Sequence, residues 1–123
     1  MVQHKHLLIK ADIENPIRDE IPAIFFVKNL VNKINMNILH GPVPKYCDTP
    51  GNQGMTVFAI IETSHIVVHI RDEDTPAKLQ LDVYSCKDFD INTVLEHIKI
   101  LAPSKDGLIT KSHDLILKAW RID

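Results

Sequence analysis

The sequence predicts an α+β fold, namely a two-layer sandwich with the helices on one face of a mainly antiparallel sheet. Its 123 residues are enough for a single domain, spanning 1–123, and too few for two ordinary domains. The chain is 45% apolar and 24% charged, which is typical of a globular protein. Only two segments show helical periodicity, whereas several short segments are rich in β-branched residues, so a sheet covered by few helices is favoured.

The first third of the chain predicts a strand, a helix and a second strand. Lys5 to Ile13 is short, apolar and partly alternating, which indicates a strand. Apolar residues then recur at three- and four-residue steps, and they predict an amphipathic helix from about Glu20 to Ile34. Pro22 fits only the first turn of this helix, where its missing N–H costs nothing. Met36 to Gly41 is predicted to be a strand, and the Pro- and Gly-rich residues after it are predicted to be irregular.

The rest of the chain has the strongest β signal, followed by a second helix. Three strands are predicted over Met55 to Ile61, His65 to Ile70 and Leu79 to Ser85. Asp90 is a suitable N-cap for a helix over Ile91 to Leu101, and Asp114 to Arg121 is predicted to be the last strand. Helices on one face leave the other face of the sheet uncovered. Because a second copy is the simplest cover for a chain this short, we predict a homodimer.

Charge and hydropathy exclude several classes of protein. A net charge of −2 argues against binding to nucleic acid, whose phosphates are met by clustered Lys and Arg. No stretch approaches the roughly 20 apolar residues that span a bilayer. Residues 1–10 carry charged and His side chains where a signal peptide has an apolar core. We therefore predict a cytoplasmic protein that binds neither nucleic acid nor membrane.

The junction between two predicted strands carries residue types suited to chemistry. Ser64 lies at this junction, His65 and His69 follow on the second strand, and Cys86 closes the next strand. Three interpretations are open: the side chains are structural, they bind a metal together with Cys47, or Ser64 or Cys86 is a nucleophile with a His base. The spacing matches no compact zinc pattern, so no metal site is predicted. There is also no G-x-S-x-G elbow, so a hydrolase triad is unsupported.

The same segments resemble the compact prokaryotic S-adenosylmethionine decarboxylases. That family has Glu-Ser-His-x-x-x-His followed by Thr-Trp-Pro-Glu, and further on Asp-Val-Phe-Thr-Cys-Gly. Here residues 63–73 read TSHIVVHIRDE and residues 82–87 read DVYSCK. The family's Gln-Gly-x-Ser appears upstream as residues 53–56, QGMT. The motifs occur in the same order and cover nearly the whole chain.

The resemblance implies a pyruvoyl-dependent enzyme that makes its own cofactor. The Ser64 hydroxyl would attack the carbonyl of Thr63, the chain would be cut into residues 1–63 and 64–123, and Ser64 would become the pyruvoyl group. By the same resemblance, His69 assists processing with support from Thr56, and His65 lies beside the scissile bond. Cys86 would return a proton to the substrate carbon after carbon dioxide leaves. The implied function is decarboxylation of S-adenosylmethionine for spermidine biosynthesis.

Departures from the family pattern on both sides of the Ser-His segment keep other functions open. Thr63 replaces the Glu before the scissile bond, and Arg71 with Asp72 replaces Trp-Pro. The lost aromatic would stack on a planar cationic nucleoside. One alternative is therefore decarboxylation of arginine or ornithine, with Asp72, Glu73 or Asp82 as a partner for the cationic group. The other alternative is a pseudoenzyme that is never cleaved and regulates an active partner.

Overall fold

A computed structural model describes residues 2–104 and 108–117, which form six strands, two α-helices and one 3-10 helix. In chain order the elements are β1 (Val2–Ile13), α1 (Glu20–Lys33), β2 (Ile38–Cys47), β3 (Gly54–Ile61), β4 (Ser64–Arg71), β5 (Ala77–Ser85), α2 (Ile91–His97), the 3-10 helix (Ile98–Leu101) and β6 (Ile109–Leu117). The strands form one sheet in the order β2-β3-β4-β5-β1-β6, with every neighbouring pair antiparallel.

The core lies between one face of this sheet and the helices. Side chains alternate along the strands, so every second residue is buried on the helix side, as β5 shows from Ala77 to Ser85. Helix α1 contributes the buried side chains of Phe26, Val27 and Leu30 to the same core. The predicted fold class, with helices on one face of an antiparallel sheet, is confirmed.

Local sequence signals place both helices correctly. Helix α1 begins with Glu20 in its first turn and ends with Lys33 in its last, and both charges suit the helix dipole. Asp90 caps α2, because its carboxylate accepts a hydrogen bond from the Asn92 N–H at 2.8 Å. The predicted second helix changes to 3-10 geometry at Ile98, so α2 is shorter than expected.

The structure corrects the prediction at two strands. Strand β2 continues through Pro42 and Pro44, in the segment predicted to be irregular. It is an edge strand and its register with β3 shifts twice, so prolines are tolerated there. The last strand begins at Ile109 rather than at Asp114, and the predicted end at Arg121 lies outside the described residues.

The second face of the sheet, here called the open face, is not covered by any element of the described chain. Phe58 and Ile60 on this face are 37% and 45% exposed. An apolar surface of this kind is typical of a contact between proteins. The open face is therefore suited to contact with a second copy, and the homodimer itself stays a prediction. None of the helices in the part of the chain that the structure describes is long and apolar enough to cross a membrane.

Candidate active site

The predicted cleavage point lies in the tight turn between β3 and β4. Strand β3 ends at Ile61 and β4 begins at Ser64, so only two residues connect them. Ser64 has a φ of 151°, a backbone conformation that residues other than glycine rarely adopt. Such a conformation costs about 1–3 kcal/mol and persists only where the surrounding structure enforces it. The strain is thus concentrated at the residue that would have to react.

The end of β5 holds the carbonyl group of Thr63. Ser64 lies opposite Ser85 in the sheet register, and the Cys86 N–H donates a hydrogen bond of 2.9 Å to the Thr63 oxygen. A backbone donor aimed at a carbonyl stabilises negative charge on that oxygen, as in an oxyanion hole. The Thr63–Ser64 peptide group is therefore strained on one side and polarised on the other.

The segment after Cys86 is fixed by Lys5 on β1. The Lys5 ammonium donates to the Asp88 carboxylate and to the Phe89 carbonyl, both at 2.8 Å. The hydrogen bond from Lys5 and its positive charge lower the pKa of the Asp88 carboxyl group. The Cys86 thiol is free and exposed beside the turn, where a small molecule can approach it.

His69 and Thr56 form a cross-strand pair on the open face, far from Ser64. Thr56 lies opposite His69 in the register, and Thr56 Oγ1 is 3.0 Å from His69 Nδ1. His69 is five residues from Ser64 on the same strand, which corresponds to about 16 Å. An odd separation also puts the two side chains on opposite faces of the sheet. The structure therefore brings Ser64 and Cys86 together and leaves His69 outside their reach in a single chain.

His65 and Asp82 belong to a polar cluster on the open face, next to the turn between β3 and β4. Asp82 Oδ1 lies 2.7 Å from His6 Nε2 and 3.4 Å from His65 Nε2. The Tyr84 ring stacks on His65 with a centroid distance of 5.9 Å, and its hydroxyl is 2.6 Å from His4 Nδ1. Sequence reasoning missed His4, His6 and Tyr84 as members. The alternation on β1 and β5 contains the signal, but only the register between these distant strands reveals it.

Glu73 lies beyond the opposite end of β4 from Ser64. Its carboxylate accepts hydrogen bonds from the backbone N–H groups of Gly51 and Gln53, at 2.8 and 3.4 Å. Arg71 donates to the Gly51 carbonyl at 3.1 Å. Within one chain, Glu73 thus shapes the loop before β3 and is remote from Ser64.

Met36 and Ser85 lie on the helix side of the same turn and were not anticipated. The Thr63 hydroxyl donates to the Met36 sulfur at 3.1 Å, and the Ser85 hydroxyl donates to it at 3.9 Å. Met36 is 7% exposed and Ser85 is fully buried. A methionine in a connecting loop carries no sequence signal for such a role.

The two cysteines lie far apart. Cys47 ends β2 opposite Gly54, whereas Cys86 follows the end of β5 that lies beside Ser64. Among residues 2–104 and 108–117, no group of three or more His, Cys, Asp or Glu side chains is arranged to hold a metal ion.

Comparison with known proteins identifies relatives of the chain. The family model described as S-adenosylmethionine decarboxylase matches residues 10–105. The S-adenosylmethionine decarboxylase proenzyme of Pyrobaculum aerophilum is 39% identical over 72 residues, which are 58% of this chain and 54% of that relative. The chain thus matches about half the length of this curated relative. The crystal structure of the adenosylmethionine decarboxylase from Aquifex aeolicus superposes with a TM-score of 0.68 at 18% identity, over 99% of this chain and 98% of that one, and it supports the fold.

Proposed function

Because the chain belongs to the S-adenosylmethionine decarboxylase family, we propose that it is a pyruvoyl-dependent decarboxylase that generates its own cofactor by cleavage between Thr63 and Ser64. The observation that carries this proposal is the geometry of that peptide bond. A serine with a strained backbone follows a carbonyl group that already accepts a hydrogen bond from the Cys86 N–H. Both features favour reaction at this bond, and Ser64 is the residue from which a pyruvoyl group would form.

In the first step, the Ser64 hydroxyl oxygen attacks the Thr63 carbonyl carbon. The C–N bond breaks as the new C–O bond forms, and the hydroxyl proton ends on the released Ser64 nitrogen, which leaves an ester. Negative charge develops on the Thr63 oxygen during this step, where the Cys86 N–H stabilises it. The Ser64 backbone is held in an unfavourable conformation before the reaction, and this strain lowers the remaining barrier.

In the second step, a base removes the Ser64 α-proton and the Thr63 carboxylate leaves with the ester oxygen. A proton then adds to the former Ser64 β-carbon, which becomes a methyl group, and water replaces the nitrogen, which departs as ammonia and leaves the ketone. His69 is a suitable base, and Thr56 fixes the orientation of its ring through the 3.0 Å contact. Since about 16 Å separates His69 from Ser64 along β4, we propose that His69 of a second copy performs this step.

A homodimer formed through the open face supplies that second copy. The exposed Phe58 and Ile60 lie on the same face as His69, so burial of the apolar residues and delivery of the imidazole occur in one interface. Two copies related by a twofold axis present the same surface to each other, and each copy then donates its His69 to the other. This arrangement explains why the Thr56–His69 pair faces away from the helices.

Once formed, the pyruvoyl group supplies an electron sink for loss of carbon dioxide. The chain's own contribution to turnover is the Cys86 thiol, which is exposed beside residue 64 and is suited to return a proton to the substrate carbon. A small-molecule substrate also has space on the open face. A cavity of about 340 Å³ next to His69 is lined by the cationic side chains of Lys10, Arg71 and Lys78 and by the Asp12 carboxylate, which pairs with Lys78. Like His69, this cavity is remote from Ser64 of the same chain, so in the proposed dimer the cavity of one copy serves residue 64 of the other. Lys10 and Arg71 suit the carboxylate that an amino-acid substrate carries.

The substrate we propose is S-adenosylmethionine, and the product would serve spermidine synthesis. The test is release of carbon dioxide from carboxyl-labelled S-adenosylmethionine, arginine and ornithine, each supplied separately to the processed protein. Release from S-adenosylmethionine supports the proposal, and release from arginine or ornithine alone overturns the substrate. No release from any of the three by fully processed protein would contradict the decarboxylase function. The Cys86→Ala variant is the control for turnover that depends on this site.

A further inference from the structure

The oxygen of the scissile Thr63 carbonyl is held by a backbone group, so its placement depends on whatever shapes the chain around Cys86. A backbone N–H cannot be removed by changing the Cys86 side chain. Its direction is set by the turn formed by residues 85–87, where β5 ends. A hydrogen-bond donor displaced by even about 1 Å from its acceptor loses much of its effect on a reaction. The conformation of this turn should therefore influence the rate of cleavage.

The Ser85 hydroxyl shapes this turn. The Lys87 N–H donates to Ser85 Oγ at 2.9 Å, and a serine hydroxyl that accepts a hydrogen bond from the residue two positions later stabilises a turn. Ser85 is fully buried, so water does not compete for the hydroxyl. Between the two bonded residues, the Cys86 N–H is left directed at Thr63.

A second contact ties the same hydroxyl to the residue that carries the reacting carbonyl. Ser85 Oγ donates to the Met36 sulfur at 3.9 Å, and the Thr63 hydroxyl donates to the same sulfur at 3.1 Å. The carbonyl and the turn that supplies its donor are therefore linked through one buried atom. Ser85 also lies directly opposite Ser64 in the register, so a shift of the turn would also displace the proposed cleavage point.

We infer that Ser85 is a positioning residue for self-cleavage: its hydroxyl holds the 85–87 turn so that the Cys86 N–H stabilises charge on the Thr63 oxygen. Ser85 touches no reacting atom and acts through Cys86. This inference rests on the proposed function, because it concerns the rate of the first processing step.

The test compares cleavage of full-length chains made by cell-free synthesis. Appearance of the fragments 1–63 and 64–123 is followed on denaturing gels for the wild type, Ser85→Ala, Ser85→Cys and Ser85→Thr. Ser85→Ala should cleave about 10- to 100-fold more slowly, since the donor is misplaced. Ser85→Cys should also be slow, because a thiol is a weak acceptor. Ser85→Thr keeps the hydroxyl and should restore cleavage to within about threefold of the wild type.

A matched control separates positioning from simple destabilisation. Val83 is fully buried on β5, two residues before Ser85 and on the same side of the sheet. Val83→Ala should lower resistance to urea and leave the cleavage rate of the folded chain within about threefold. Hydroxylamine, which cleaves esters, gives a second readout. It should not cut Ser85→Ala, in which the reaction stops before the ester forms. It should cut His69→Ala, in which the ester forms but its elimination is stopped.

Different outcomes would overturn the role of Ser85 and the proposed function. If the wild type cleaves and Ser85→Ala cleaves at the same rate, or if Ser85→Thr fails to restore the rate, the role of Ser85 is overturned and the proposed function stands. The same holds if Ser85→Ala accumulates an ester that hydroxylamine cuts, or if Val83→Ala is equally slow. If the wild type itself stays intact, the proposed function fails and the role of Ser85 fails with it.

Discussion

Placing the Ser64→Ala and His69→Ala substitutions in separate chains tests whether each active site is built from two copies. His69 lies five residues from Ser64, or about 16 Å along β4, whereas proton transfer needs contact at about 3 Å. The imidazole therefore cannot serve Ser64 of its own chain. When the two variants are synthesised together in equal amounts, about half of the dimers are hybrids. Each hybrid pairs one intact Ser64 with an intact His69 of the other chain, so about half of the His69→Ala chains should be cut.

The assay gives the two variants tags of different size, so that their fragments separate on one denaturing gel. Each variant made alone is the control and should stay uncut. Cleavage of His69→Ala made alone would show that His69 is not needed. If the mixed sample forms dimers and the His69→Ala chains still remain whole, His69 does not act across the interface and the geometric reasoning is refuted.

Further substitutions address turnover, pH dependence and backbone conformation. Cys86→Ala should leave cleavage intact, because the donor to Thr63 is a backbone group, and it should abolish most carbon dioxide release; loss of cleavage would contradict this role. Burial, with a smaller contribution from the charge of Lys33, lowers the pKa of His97. As the pH drops, the unfolded state therefore takes up a proton on this side chain before the folded state does. The free energy of unfolding should thus fall as the pH drops below about 6.5. His97→Gln should make this fall shallower in urea titrations at about pH 7.5 and 5.5, and an unchanged slope would refute the assignment. Gly54→Ala should lower the free energy of unfolding by about 2–4 kcal/mol, because the new Cβ would overlap the Ile70 carbonyl of β4. Gly51→Ala, whose Cβ meets nothing nearby, should lower it by only about 1 kcal/mol. Equal losses for the two variants in urea unfolding would contradict the overlap.

Features fixed by neighbouring residues could be predicted from the sequence. The β3–β4 hairpin and the two helices follow from apolar periodicity and from Asp90 as a cap, because the physical causes act within a few residues. The prolines of β2 were misleading, since Pro42 and Pro44 are tolerated only because β2 lies at the edge of the sheet. Edge position is a property of the assembled sheet and leaves no local pattern.

The residues of the candidate site likewise include some that local sequence patterns indicate and some that they do not. The structure brings Ser64 and Cys86 close together, because a tight turn and the neighbouring strand end lie at one place. The resemblance implies that His69 assists processing, but its odd separation from Ser64 puts it on the other face of β4. The contacts of Met36, Ser85 and Asp82 depend on pairing between segments distant in sequence, so only the structure reveals them.

The intact mass of the freshly purified protein under denaturing conditions tests the central claim most directly. We expect two chains, residues 1–63 and 64–123, and we expect the second to be blocked at its N-terminus because Ser64 has become the pyruvoyl group. A single full-length chain that stays uncut on long incubation would mean that the Thr63–Ser64 bond is inert. That result would contradict self-processing and would favour a regulatory pseudoenzyme instead.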